Sequence, residues 1–174
     1  MPTKGIDFAK LTLRDALDLA ILVEEEARDR YVELAEQMKQ FHTPAAASLF
    51  EKMVKNEELH RKELLERRKT EGFTGEPSSV QRAMLFDVEA PEYDEARAFM
   101  TQREAVKVAL KSEVKAHEFF LGVMSQVPEG AIRALFAELA RDEHEHQRLL
   151  KAELDRLPPE DNVQGDVGDE PVAL

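Results

Sequence analysis

Apolar residues recur along this chain at alternating steps of four and three, the spacing that lines one side of an α-helix. Four segments carry the pattern. The first runs through Leu13, Leu17, Ala20, Glu24, Ala27, Tyr31, Leu34 and Met38, and the second through Ala46, Phe50, Met53, Glu57, His60 and Leu64. The third runs through Val106, Ala109, Glu113, Ala116, Phe120, Val123 and Val127, and the fourth through Ile132, Phe136, Leu139, Glu143, His146 and Leu150. Each stripe is apolar or small except at one level, where every segment inserts a Glu and two add a His.

Local signals set the expected boundaries. Thr12 with Asp15 three residues on is a capping box with Asp in the usual Glu position, opening a helix to about Gln40. Thr43 as N-cap and Pro44 at the first helical position open the second, which ends near Gly72. Thr101 with Glu104 caps the third, and Pro128 opens a fourth that stops before Pro158 and Pro159. At ~1.5 Å per residue each helix is roughly 35–45 Å long.

Short joints after the first and third helices predict two antiparallel hairpins. The connector from Gly72 to Thr101 contains Met84, Leu85, Phe86, Tyr93 and Phe99, side chains suited to packing. It therefore predicts an ordered crossover along the bundle, with one or two short helices in it. The expected fold class is all-α: an antiparallel four-helix bundle over residues 1–157, with a disordered acidic tail over 158–174.

The two hairpins are copies of one another. A shift of 89 residues places Thr12 on Thr101, Arg14 on Arg103, Ala16 on Ala105, Ala20 on Ala109, Glu24 on Glu113 and Ala27 on Ala116, with Tyr31 on Phe120. A shift of 86 places Leu49 and Phe50 on Leu135 and Phe136, Glu57 on Glu143, and His60 on His146. A second hairpin loop three residues shorter than the first would account for the unequal offsets.

Composition narrows the chemistry. The 174 residues include no cysteine, which excludes disulfides, thiolate metal sites and catalytic thiols. A metal held by carboxylate and imidazole alone suits Fe, Mn or Zn. The net charge of −12 argues against nucleic-acid and anionic-membrane partners. No apolar run reaches membrane-spanning length, and the start shows no secretory signal, so the expected location is cytoplasmic.

Four ionised carboxylates converging in an apolar interior repel one another, and each loses several kcal/mol of hydration. Two divalent ions would offset the charge of −4 with +4. The i, i+3 spacing of Glu57–His60 and Glu143–His146 puts each pair on one helix face. The candidate metal ligands are therefore Glu24, Glu57, His60, Glu113, Glu143 and His146, the ligand set of ferritin-like di-iron and di-manganese bundles. Off the stripe, Glu25, Glu26, Glu58 and Glu145 are expected to be exposed, as are His42 and His144. Tyr31, two turns beyond Glu24, is a candidate for a catalytic role beside the ligands or for a core aromatic. His117, one turn past Glu113, is a candidate entry-site ligand or a polar flanking residue.

The run from Glu24 to Tyr31, EEEARDRY, resembles the first helix of rubrerythrins, and Asn56 to His60, NEELH, resembles their second. The resemblance covers about residues 12–155. It implies that Glu57 and Glu143 bridge two irons, that Glu24 and Glu113 are terminal carboxylates, and that His60 and His146 serve one metal each. Two positions depart from the family. Without cysteine the chain carries no rubredoxin-like iron centre, and Ala116 stands where rubrerythrins carry an extra Glu. These departures point to a plainer six-ligand, ferritin-like site. The implied activity is oxidation of two Fe(II) by hydrogen peroxide or dioxygen, with electrons restored by an external donor. A ferroxidase for iron storage or delivery, and an oxygenase using a gap among Ala20, Ala27, Ala109 and Ala116, are the alternatives. A homodimer or higher homo-oligomer is expected.

Overall fold

The computed structural model describes residues 5–75, 80–85, 88–91 and 100–159. Four α-helices lie among them: α1 (Leu13–Gln40), α2 (Pro44–Thr70), α3 (Gln102–Met124) and α4 (Ala131–Arg156). One-turn 3-10 helices occupy Phe8–Lys10 and Arg82–Met84. The α1–α2 and α3–α4 hairpins pack on one another as a ferritin-like four-helix bundle. No helix among the described residues is long and apolar enough to cross a membrane. The 158–174 tail falls outside the described residues from position 160 onward, as do Phe86, Tyr93 and Phe99 of the crossover.

The capping signals act as expected at α1 and α3. Thr12 accepts from the Asp15 amide at 3.2 Å while Asp15 accepts from the Thr12 amide at 2.9 Å, and Thr101 with Glu104 repeats the arrangement. Thr43 occupies the N-cap position of α2, but its hydroxyl donates backward to the Met38 carbonyl at 3.1 Å and leaves the α2 amides uncapped by side chain. The start of α4 differs from expectation. Pro128 lies upstream of the helix, and the chain enters at Ala131 through Gly130, whose φ of 90° is open to glycine and strained for other residues.

The unequal repeat offsets have another cause than a short second loop. The linker Ser125–Gly130 is longer than Phe41–Thr43, while α3 stops at Met124 sooner after Glu113 than α1 stops at Gln40 after Glu24. The helix was shortened and the loop lengthened.

Two apolar clusters fill the bundle. One gathers the start of α1, the ends of α2 and α3 and the start of α4 around Leu17, Leu64, Phe120 and Phe136. The other gathers the opposite ends around Tyr31, Met38, Phe50, Val106 and Leu150. This makes α2 and α3 run the same way, so the crossover must return along the bundle's length. It does: Val80, Leu85 and Val88 join the first cluster, and Met100 joins the second. Arg68 pins the first end, its Nε 2.6 Å from the buried Asp18 carboxylate and its Nη1 donating to the Phe73 carbonyl. The polar level seen in the sequence lies between the clusters.

Candidate metal centre

At that level the helix period brings the six side chains together. Glu24, Glu57 and His60 offer atoms within 4.8 Å of one another, and so do Glu113, Glu143 and His146. Each hairpin thus builds one triad. His60 Nδ1 stands 3.5 Å from Glu24 Oε2 and 3.6 Å from Glu57 Oε2. In the second copy His146 Nδ1 stands 3.1 Å from Glu113 Oε2 and 3.5 Å from Glu143 Oε2. The two imidazoles stack nearly parallel, with centroids 4.7 Å apart, which brings the triads edge to edge.

The sequence pattern missed a seventh group. Glu89, in the crossover, is buried in the same layer and lies within 4.8 Å of both Glu24 and Glu143, and of both Glu57 and Glu113. No helical period runs through its segment. The only sequence signal was an acidic residue within an otherwise apolar stretch, Val88 to Ala90. The crossover carboxylate adds a seventh acidic or imidazole group to the six at this level.

These groups are short of partners. Among the described residues, neither oxygen of Glu57 or Glu89 makes a hydrogen bond, nor does one oxygen each of Glu24, Glu113 and Glu143. Burial raises Glu24, Glu89 and Glu143 well above the usual carboxylate range, with neighbouring carboxylates adding to the rise, and raises Glu113 to about 8. Burial of His60 opposes its charge, but the Glu24 and Glu57 carboxylates beside it prevail and lift it to about 11. Buried oxygens without donors, in a set of hard carboxylates and imidazoles, fit divalent first-row metals.

Side chains around the layer take several roles. Tyr31 is fully buried and stacks on Phe50 with centroids 6.0 Å apart. Among the described residues its hydroxyl makes no hydrogen bond of ordinary geometry; Ser112 lies alongside and donates to the Val108 carbonyl at 3.3 Å. Burial, and the charges of Glu113, Glu57 and Glu89, push the phenol well above its ordinary pKa. Gln147 Nε2 donates to the Glu113 carbonyl at 3.2 Å and steadies that turn of α3. His117 faces outward beside His144, their rings 5.8 Å apart, on a surface cavity that none of the six ligand candidates lines.

Glu25, Glu26 and Glu58 are half-buried where exposure was expected, while Glu145 is exposed as expected. For Glu58 the reason is plain: it joins Arg28 of α1 at 2.9 Å and Arg61 at 2.9 Å, cross-linking the first hairpin. The Arg61 and Arg28 guanidinium groups hold its carboxyl far below the usual range.

A cavity of about 140 Å³ opens onto the layer between α2 and α4. Glu24, His60 and Glu143 form its inner wall, and Glu63, Glu138 and Asp142 line it further out. Arg67 Nη1 pairs with Glu138 at 2.8 Å across it. Ala20, Ala27, Ala109 and Ala116 are packed in the core and do not line it.

A family model described as Rubrerythrin matches residues 15–94 and 104–171, one stretch for each hairpin. Among solved structures, an uncharacterised conserved protein of Magnetospirillum magnetotacticum is similar, with a TM-score of 0.65 and 27% identity over 85% of this chain and 97% of that one. No curated protein matches the chain.

Proposed function

Since the chain belongs to the rubrerythrin family, we propose that it is a di-iron oxidoreductase that reduces hydrogen peroxide. The observation that carries this reading is the pair of hairpin triads, with buried carboxylate oxygens that lack donors. Glu24, Glu57 and His60 hold one side of the metal pair; Glu113, Glu143 and His146 hold the other. When bound, two Fe(II) supply the two electrons that convert one hydrogen peroxide and two protons into two waters.

The protein's own groups do the rest. In the metal-free pocket burial shifts Glu24, Glu113 and Glu143 towards their protonated forms. Cations displace those protons, so loading is coupled to proton release. The two apolar clusters exclude water above and below the layer, and the α2–α4 cavity gives one way in among the described residues. Its size suits peroxide, dioxygen or a hydrated ion. Leu64, Leu135 and Leu139 share the lining with the acidic groups, and it is the small volume that counts against a bulky organic substrate and the oxygenase reading. Re-reduction is assigned to a donor outside these 174 residues, which hold no cysteine for an iron–sulfur or rubredoxin-type centre.

The same acidic lining favours one second reading, a ferroxidase that admits Fe(II) along Glu63, Glu138 and Asp142. Anaerobic loading with Fe(II), then rapid mixing with peroxide and dioxygen separately, distinguishes them. Peroxide should oxidise the loaded protein faster, with two irons held per chain. Faster reaction with dioxygen, with continued iron uptake in a cage-sized species, would establish the ferroxidase instead. The paired variant Glu57→Ala with His60→Ala should lose tight iron binding altogether.

A further inference from the structure

Each triad belongs to one hairpin; Glu89 belongs to neither. It stands in the crossover, of which the chain has one copy, so nothing in the repeat mirrors it. Val88 and Ala90 are fully buried and Glu89 is 1% exposed. Cationic side chains from the two hairpins hold the backbone just beyond it. Lys115 of α3 donates to the Ala90 carbonyl at 2.7 Å, and Arg30 of α1 donates to the Pro91 carbonyl at 2.9 Å.

These clamps grip the main chain and, among the described residues, leave both carboxylate oxygens of Glu89 without a hydrogen bond. A carboxyl group so placed, charged or neutral, gives up its bonds to water and gains none in exchange. The groups that share its space are the carboxylates of Glu24 and Glu143 and those of Glu57 and Glu113. A cation shared with those carboxylates would supply the partner that the protein does not.

Resting on the di-metal reading above, we propose that Glu89 is a fifth carboxylate ligand, which ties the crossover to the metal pair. The hairpin triads each draw on one hairpin, whereas both groupings that include Glu89 draw one carboxylate from each. Glu89 thus bonds the two halves of the duplication through the metals. It also breaks their symmetry. Four carboxylates balance two divalent ions, and a fifth leaves an excess negative charge, a stronger trap for cations than the duplicated set alone. Because Lys115 and Arg30 already hold the backbone beside it, a metal at Glu89 completes a three-point anchorage of residues 88–91.

The test uses the full chain and Mn(II), which avoids oxidation chemistry. In the wild type, Mn(II) should slow hydrogen exchange at the amides of Val88, Glu89 and Ala90. Glu89→Gln, which keeps the shape, should abolish that slowing and weaken Mn(II) binding at least roughly tenfold, since even the loss of a group that only supports a ligand costs other metal sites that much. It should also raise the metal-free Tm, since it removes an acid from a crowded acidic layer; a merely structural Glu89 would lower it. Two results overturn the proposal: wild-type exchange at residues 88–90 indifferent to Mn(II), or Glu89→Gln binding Mn(II) like the wild type. If Glu57→Ala with His60→Ala instead retains full Mn(II) binding, the di-metal reading fails, and this one with it.

Discussion

The two hairpins repeat their ligands and differ in what surrounds them. His60 lies on the α2–α4 cavity, 23% exposed, at 3.5 and 3.6 Å from its two carboxylates. His146 is 16% exposed and approaches Glu113 to 3.1 Å. One residue on, the copies diverge completely. Gln147 is buried and donates to the Glu113 carbonyl, whereas its counterpart Arg61 turns outward to Glu58. A duplicated hairpin preserves the side chains that must face the centre, because both copies share one interior. It does not preserve their neighbours, which meet different elements. Both imidazoles reach a cavity, His60 the α2–α4 one and His146 a second of about 160 Å³ beside Asn56 and Leu149. The copies differ in how they are braced, the second by Gln147 and the first by Glu58.

The largest effect that would test this symmetry lies in the cores. Phe50 and Phe136 are repeat-related and fully buried, but they belong to opposite apolar clusters. Phe50→Ala and Phe136→Ala should each cost about 3–5 kcal/mol in urea unfolding of the metal-free protein. With the polar layer between them, the double variant should lose the sum to within about 0.5 kcal/mol. A larger coupling would show that the layer transmits packing strain and that the halves are not independent.

A smaller effect is the pH dependence of the metal-free protein. Folded carboxyls that titrate above their unfolded values hold protons which the unfolded chain has released. Stability contributed by Glu113 is thus full below about pH 4.5 and lost as pH rises through about 8. Glu24, Glu89 and Glu143 act in the same direction. The proton on His60 contributes fully below about pH 6.5 and is lost as pH rises towards about 11. The metal-free Tm, followed by circular dichroism, should fall between about pH 5 and 9. Saturating Mn(II) should flatten or reverse that slope, because cations replace the protons. His60→Gln should reduce the slope above about pH 6.5; a metal-free Tm that climbs over this range would contradict the electrostatics of the layer.

The smallest effects lie at the helix starts. Thr12→Ala and Thr101→Ala remove equivalent caps from the two copies and should each cost about 1 kcal/mol. Thr43→Ala should cost less than either, because its hydroxyl does not cap α2. Thermal melts of the three variants would show whether the capping symmetry survives in the intact bundle.

The bundle was legible because its signals are local. A helix places residues three and four apart on one face whatever lies beyond it, so the apolar stripes and six ligand candidates could be read directly from spacing. Both capping boxes involve residues three apart and were readable for the same reason. Thr43 was not, since its hydroxyl chose between its own helix and the preceding one. The partial burial of Glu58 depended on Arg28, which lies on another helix.

Amino-acid order alone thus determined four helices, their pairing into duplicated hairpins and the level at which six polar groups enter the core. Folding in three dimensions decided which of those groups stand open to the cavity, how the second copy redistributed length between helix and loop, and that Glu89 joins them. The reason is that an irregular segment has no period to aim its side chains. Glu89 points inward because Arg30 and Lys115, far from it in sequence, hold the backbone beside it.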